Sequence, residues 1–286
     1  VILTYKKDLP IMKLKYIALA ALLTVSSSFV SQASIIEPGF NASTLPANDD
    51  GSTAAINIGF DVNFFGLTFS QLFVNNNGNV TFDAALSTFT PFDLTATGRQ
   101  IIAPFFADVD TRDAGDPVTY GVGSFAGMLA FGVNWLNVDY FSSDIAHTNR
   151  NSFQLILVDR SDISIGDFDI IFNYDQIQWE TGTASDGDDN GLGGDSARAG
   201  FSNGTGDTGS FFELAGSAVN GAFLDGGSNA LVSNRLNSGF DGRYIFNARN
   251  GAIVVEPPTS VPETETLAMF SLGLLLVSAM RRRQKR

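Results

Sequence analysis

Acidic side chains dominate the chemistry this sequence can offer. Asp108, Asp110 and Asp113 close the stretch Ile101–Asp113, IIAPFFADVDTRD, where an apolar run ends abruptly in carboxylates. Such residues cap turns by accepting loop N–H groups; the sharper reading is a metal or active-site cluster. A second acidic stretch spans Thr181–Asp195, TGTASDGDDNGLGGD. Within it, Asp186 to Gly191 matches the first half of a calcium loop, D-x-[DN]-x-[DN]-G. In such loops alternate oxygens converge on a hard cation and Gly permits the sharp turn. The second half departs from the pattern. The twelfth position is Ala197 rather than a bidentate Glu, and Asp195 completes the set only along a different path. The candidate calcium ligands are therefore Asp186, Asp188, Asn190 and Asp195, with a plain Gly/Asp-rich surface connector as the competing reading.

Catalytic groups are sparse. Cysteine is absent, which removes thiolate chemistry, thiolate metal sites and disulfides. The single histidine, His147, stands in a polar loop, and no Gly-x-Ser-x-Gly elbow surrounds any Ser. Glu180 follows Trp179, so a carboxylate beside a sugar-stacking aromatic is the rival enzymatic arrangement. Trp135, Tyr140, Tyr174 and Trp179 can line a carbohydrate face or fill a core, and core is the commoner fate. No catalytic residue is assigned, and the chain is read as a non-enzyme.

The elements that must position these groups are strands. Ile56–Phe60, Val62–Phe69, Leu72–Val74 and Val80–Phe82 come first, with Asn75–Asn79 as a Gly-containing hairpin tip. Val118–Val122, Met128–Val133 and Phe131–Phe141 follow, the last changing phase between Trp135 and Val138. In Asn149–Asp159, Phe153, Leu155 and Leu157 share one face, with Gln154 and Ile156 opposite. Phe168–Trp179 changes phase before Trp179, and Ala197–Phe201, Phe211–Leu214 and Arg243–Ala248 close the series. Pro104 implies an edge, a bulge or a strand start. No sustained helical period interrupts the body, so the expected fold is all-β, a β-sandwich of mostly antiparallel strands. The polar, turn-rich residues 34–60, including Asn48-Asp49-Asp50-Gly51, read as a lead-in.

Charge separates the body from its ends. Between Ser34 and Pro262 lie 8 Arg and no Lys against 27 Asp and Glu, a net charge of −19. That balance excludes nucleic acid as a partner and tolerates divalent cations. Lys13 and Lys15 precede the apolar run Tyr16–Val25, and Ser31-Gln32-Ala33 offers small residues at the −3 and −1 positions before Ser34. This is the order of a secretory signal peptide, with Met12 as start and the residues before it an upstream extension. At the other end, Val261-Pro262-Glu263 precedes the apolar run Leu267–Met280 and then Arg281, Arg282 and Arg283. At about 1.5 Å per residue the run reaches about 21 Å, short of the roughly 30 Å hydrocarbon core. Transient insertion of 267–280 in the inner membrane, with the Arg cluster held inside, is the expectation, and a permanent C-terminal anchor is the competing reading. The organisation is residues 1–33 as extension and signal peptide, 34–255 as one domain, 256–260 as a Pro-rich linker and 261–286 as a C-terminal segment that its resemblance to the PEP-CTERM family implies is a sorting signal.

Two resemblances sharpen this. The segments IAPFFADVDTR, GVNWLNVDYF, NSFQLILVDR and FDIIFNYDQIQWETG, in that order, resemble the NIDO (nidogen-like) domain over roughly Val62–Asn250. That resemblance implies an extracellular β-rich module of adhesive and matrix proteins, a family with no activity established for it in general. The C-terminus resembles the bacterial PEP-CTERM signal, with Thr264 in place of the usual second Pro. It implies processing by an exosortase after export through the secretion machinery. The expected product is a surface or extracellular-matrix protein associated with exopolysaccharide, biofilm or other surface proteins.

Overall fold

The computed structural model describes residues 34–112, 115–142, 148–253 and 255. The segments expected to be signal peptide, linker and sorting signal lie outside them, as do Asp113, His147 and all residues named for sorting, with Ser34 alone of the expected cleavage site inside. Among the described residues no helix is long and apolar enough to cross a membrane.

Among the described residues fourteen strands follow in chain order: β1 (Ser43–Thr44), β2 (Ile56–Phe64), β3 (Leu67–Asn75), β4 (Asn79–Thr81), β5 (Gln100–Phe106), β6 (Val109–Asp110), β7 (Thr119–Phe125), β8 (Met128–Tyr140), β9 (Asn151–Asp159), β10 (Phe168–Gln176), β11 (Arg198–Asn203), β12 (Phe211–Glu213), β13 (Arg243–Arg249) and β14 (Ala252–Ile253). One sheet runs β1-β7-β8-β9-β10-β13-β14, with β6 also on β8; the other runs β12-β11-β5-β4-β3-β2. The strand pairs are antiparallel. The expected all-β, sandwich-like architecture is what forms.

Aromatic side chains join the sheets. Phe105 of β5 meets Phe153 of β9 at 5.2 Å between ring centroids, and Phe201 of β11 meets Phe246 of β13 at 5.3 Å edge-on. Two polar tips find partners across the same layer: Tyr174 donates to the Pro104 carbonyl at 2.6 Å, and Trp135 Nε1 to the Asn76 carbonyl at 3.0 Å. Buried Tyr and Trp need such acceptors, since an unmet O–H or N–H there costs about 1–3 kcal/mol.

The irregularities expected from the patterning have visible causes. The phase change in β8 is a bulge between Trp135 and Val138, where Asn137 takes φ 53°. The one in β10 falls between Tyr174 and Gln176. Pro104 lies in β5, an interior strand, opposite a bulge between Arg198 and Gly200 and beyond the short β4 pairing; of the three options open to a strand proline, the bulge is realised. β8 is one continuous strand where two were expected.

The lead-in does more than connect. Phe40 lies over the outer face of the larger sheet, packed with Ala130, Ile156, Val158 and Ile171. Beside it a polar row crosses four strands: Gln154 donates to Asn134, Asn173 to Gln154 and Arg243 to Asn173, at 2.7–2.8 Å. Glu37 closes that row on Arg243.

Candidate functional site

The Asn-rich tip between β3 and β4 is buried rather than exposed. Asn75, Asn76, Asn77 and Asn79 all have 0 % exposure, so their amides must be spent inside the protein. Asn76 donates to the carbonyls of Asp49 and Val109. Asn77 accepts from the Val109 N–H at 2.9 Å and donates to Asp50 Oδ1 at 2.8 Å. Gly78 makes this possible: its φ is 71°, and a Cβ there would overlap the Phe105 carbonyl oxygen. The tip thereby fastens the turn at residues 48–51 to the chain leaving β5.

That fastening gathers carboxylates far apart in the chain. Oxygens of Asp49, Asp50 and Asp108 lie within 4.8 Å of one another. Asp108 is 1 % exposed and its Oδ2 accepts no N–H group, unlike a turn-capping aspartate; Asp110, in β6, is buried as well. Asp110 is paired bidentately with Arg112, at 3.0 Å from Nε and 2.7 Å from Nη2, and Arg112 also reaches Asp49 Oδ2 at 3.1 Å. Burial pushes the Asp108 carboxyl up to about 8, reinforced by the charges of Asp49, Asp50 and Asp110 and only partly opposed by Arg112. Burial, then Asp110 and Asp50, raise Asp49 to about 6 against Arg112.

The second acidic loop is built differently. A 3₁₀ turn at Thr183–Ser185 leads into Asp186, whose φ is 62°. A bridge pairs Gly187 with Gly193, and the Asp188 N–H donates to the Leu192 carbonyl at 2.7 Å. Asp188 Oδ1 accepts the N–H groups of Asn190 and Leu192 at 2.8 and 3.0 Å. Although its slight burial acts upward, these bonds hold the Asp188 carboxyl below its usual value. The Asp189 carbonyl takes the Tyr140 hydroxyl at 2.7 Å, and the Asn190 carbonyl takes Asn149 Nδ2 at 3.0 Å. Far from being a loose connector, the loop is pinned at several points. The carboxylates of Asp186, Asp188 and Asp195 do not form a group of three with converging oxygens.

Glu180, just before this loop, ties the chain there to residues 221–223. It has 0 % exposure, and its carboxylate accepts the N–H groups of Gly221 and Phe223, the latter at 2.6 Å. Burial raises its pKa while those N–H groups lower it, and burial prevails. Trp135, Tyr140, Tyr174 and Trp179 are each no more than 1 % exposed. They are core, and no sugar can stack on them in this conformation. A separate cavity of about 490 Å³ is lined by Phe212, Leu214, Leu231, Leu236, Tyr244 and neighbours. Its aromatic Tyr244 hydroxyl is already bonded to the Leu231 carbonyl.

Residues 70–250 match the family model described as "Nidogen-like domain". The chain belongs to the nidogen-like domain family. Among curated proteins it is 34 % identical over 254 residues to chicken (Gallus gallus) alpha-tectorin, covering 80 % of this chain and 12 % of that protein. It is 36 % identical over 199 residues to mouse alpha-tectorin, covering 62 % and 9 %. Mouse nidogen-2 is 29 % identical over 110 residues, 38 % of this chain and 8 % of that protein. The chain thus spans about a tenth of the length of these relatives. No solved structure matches it.

Two members of the gathered cluster, Asp49 and Asp50, were invisible as site residues in the sequence. They sit in a turn-forming tetrad, Asn48-Asp49-Asp50-Gly51, whose composition already accounts for a turn. The Asn75–Asn79 hairpin, 25 or so positions later, and direct hydrogen bonds between Asn48 and Thr111 bring them to Asp108.

Proposed function

We propose that this chain is an exported, non-enzymatic adhesive component of a cell surface or extracellular matrix. Membership of the nidogen-like family, across residues 70–250, is the observation that carries this reading. The family is one of extracellular modules in adhesive and matrix proteins, as the sequence resemblance implied. An acidic body, a signal-peptide pattern at 1–33 and the order Val261-Pro262-Glu263, apolar run, Arg281-Arg282-Arg283 support export followed by exosortase processing. After transient inner-membrane anchoring through 267–280, the released domain would associate with exopolysaccharide or other surface proteins.

The rival reading, a polysaccharide hydrolase using Glu180, is not favoured by the geometry. A general acid or nucleophile must reach the glycosidic oxygen or the anomeric carbon, whereas both Glu180 oxygens hold backbone N–H groups inside the protein. The two readings separate in one assay. Purified protein is incubated with the exopolysaccharide of its own cells and examined for retention and for new reducing ends. Retention without new ends is expected; new ends that vanish in Glu180→Gln would make it an enzyme. For the sorting step, a C-terminal tag should part from the exported domain, and recovery of full-length protein in the cytoplasm would overturn it.

A further inference from the structure

Asp108 poses a problem that hydrogen bonding within the protein leaves unsolved. Its Oδ2 is buried without a partner, and so is Oδ1 of Asp49, a member of the same group of carboxylates. Leaving a carboxylate dry and unpaired is among the costliest arrangements a fold can keep. The polar groups around it are committed elsewhere. Asn77 Nδ2 serves Asp50 and the Thr88 carbonyl, the Val109 N–H serves Asn77, and Arg112 chelates Asp110. Gly182 leaves room beside the orphan oxygen, since a Cβ there would overlap Asp108 Oδ2. Its φ of −107° is open to any residue, so the requirement is for space and not for backbone freedom.

We propose that Asp49, Asp50 and Asp108 form a divalent-cation site, and that calcium is the ion it takes. The donors are oxygens only, which selects a hard cation over zinc or copper. Oxygens gathered within 4.8 Å of one another can close on a small hard cation. Calcium is favoured over magnesium because it accepts irregular oxygen geometry, whereas magnesium demands a near-ideal octahedron and gives up its water reluctantly. Three carboxylates supply the charge, and Asp108, a buried member of the group whose Oδ2 has no partner, supplies the reason for a ligand. Bound there, the ion ties the turn at 48–51 to the end of β5. The fold of an extracellular module is then linked to ambient calcium. This holds whatever the domain adheres to.

The test is made on the purified full chain, stripped of divalent cations and titrated with calcium chloride at fixed ionic strength. Calorimetry should give one ion per chain at this site, with Kd of about 0.1–1 mM, the range of extracellular modules, and the thermal midpoint should rise with it. Magnesium chloride should raise the midpoint less. Asp108→Asn should abolish the calcium response yet melt, without calcium, at or above the wild-type midpoint, because the amide keeps the carboxyl's shape and cannot take the charge that the neighbouring carboxylates oppose. Asp50→Asn should also lose the response, and Asp186→Asn with Asp188→Asn should keep it. A full response in Asp108→Asn overturns the site, as does a response lost only in the Asp186/Asp188 variant, which would move the ion to the other loop. No binding by the wild type, or equal shifts from magnesium and calcium in every variant, reduces the effect to a retained proton or to charge screening.

Discussion

The two acidic regions of this domain look alike in composition and are opposites in physics. Asp186–Asp195 carries a recognisable half of a calcium motif, yet it spends Asp188 on its own N–H groups and lends the carbonyls of Asp189 and Asn190 to Tyr140 and Asn149. The Asp49, Asp50 and Asp108 group carries no motif, yet it leaves two carboxylate oxygens buried and unpartnered. Their ionisations diverge accordingly: burial and neighbouring charge drive Asp108 up to about 8, while Asp188 is held below its ordinary value. A local pattern tells which backbone N–H groups an aspartate can satisfy. Unsatisfied charge arises only where tertiary packing forces distant segments together.

The largest effect that would break this contrast lies at the hairpin that does the forcing. Gly78→Ala places a Cβ against the Phe105 carbonyl at a φ of 71°, and should cost about 2–4 kcal/mol in urea unfolding. The loss should come with displacement of the 48–51 turn, read as a weakened calcium response, while the Asp186–Asp195 loop keeps its amide-exchange protection. A neutral Gly78→Ala would mean the tip does not hold the cluster. The next effect sharpens the other side. Glu180→Gln turns an amide N–H₂ toward one of two backbone donors and should cost about 1–3 kcal/mol, loosening the chain on both sides of 181–195 but not the 48–51 turn. The pH dependence follows from the raised Glu180 pKa. A group more easily protonated folded than unfolded contributes its stability below the unfolded pKa, and that contribution is lost as pH rises through the folded one. The wild type should lose this increment on going from acid toward neutral pH, and Glu180→Gln should not. Parallel pH profiles for the two proteins would contradict the assignment.

Much of the fold was legible because it rests on local pattern. The alternation through Phe153, Leu155 and Leu157, and the phase change after Trp135, are consequences of a period-2 backbone and one inserted residue. Resemblance along four ordered segments located the family as well. The order of strands within each sheet was not legible, because β5 pairs with β4 and β11 across very different separations. The candidate site was half legible. Asp108 stood out at the end of an apolar strand, but its burial depends on Gly182 and the Asn tip. Asp49 and Asp50 differed in no local respect from any Asn-Asp-Asp-Gly turn.

The smallest effect is the most discriminating about the loop that has a motif. Asp188 is exposed, so its charge is screened and its worth rests on two N–H groups that would otherwise be bonded to water. Asp188→Ala should therefore cost only about 0.5–1 kcal/mol at neutral pH, and Asp188→Asn less, since its amide oxygen still accepts both. The lowered pKa sets the sign in acid. The contribution of a carboxylate stabilised in the folded state is present above its unfolded pKa and disappears as pH falls through the folded one. Wild type and Asp188→Ala should accordingly converge in stability below that range, measured by thermal melts from neutral to strongly acid solution in chelator. If calcium instead widened the gap at neutral pH, with Asp108→Asn showing the same widening, Asp188 would be a ligand. The contrast between the two acidic regions would then be reversed, because an aspartate oxygen already accepting two N–H groups would have given them up to take the ion.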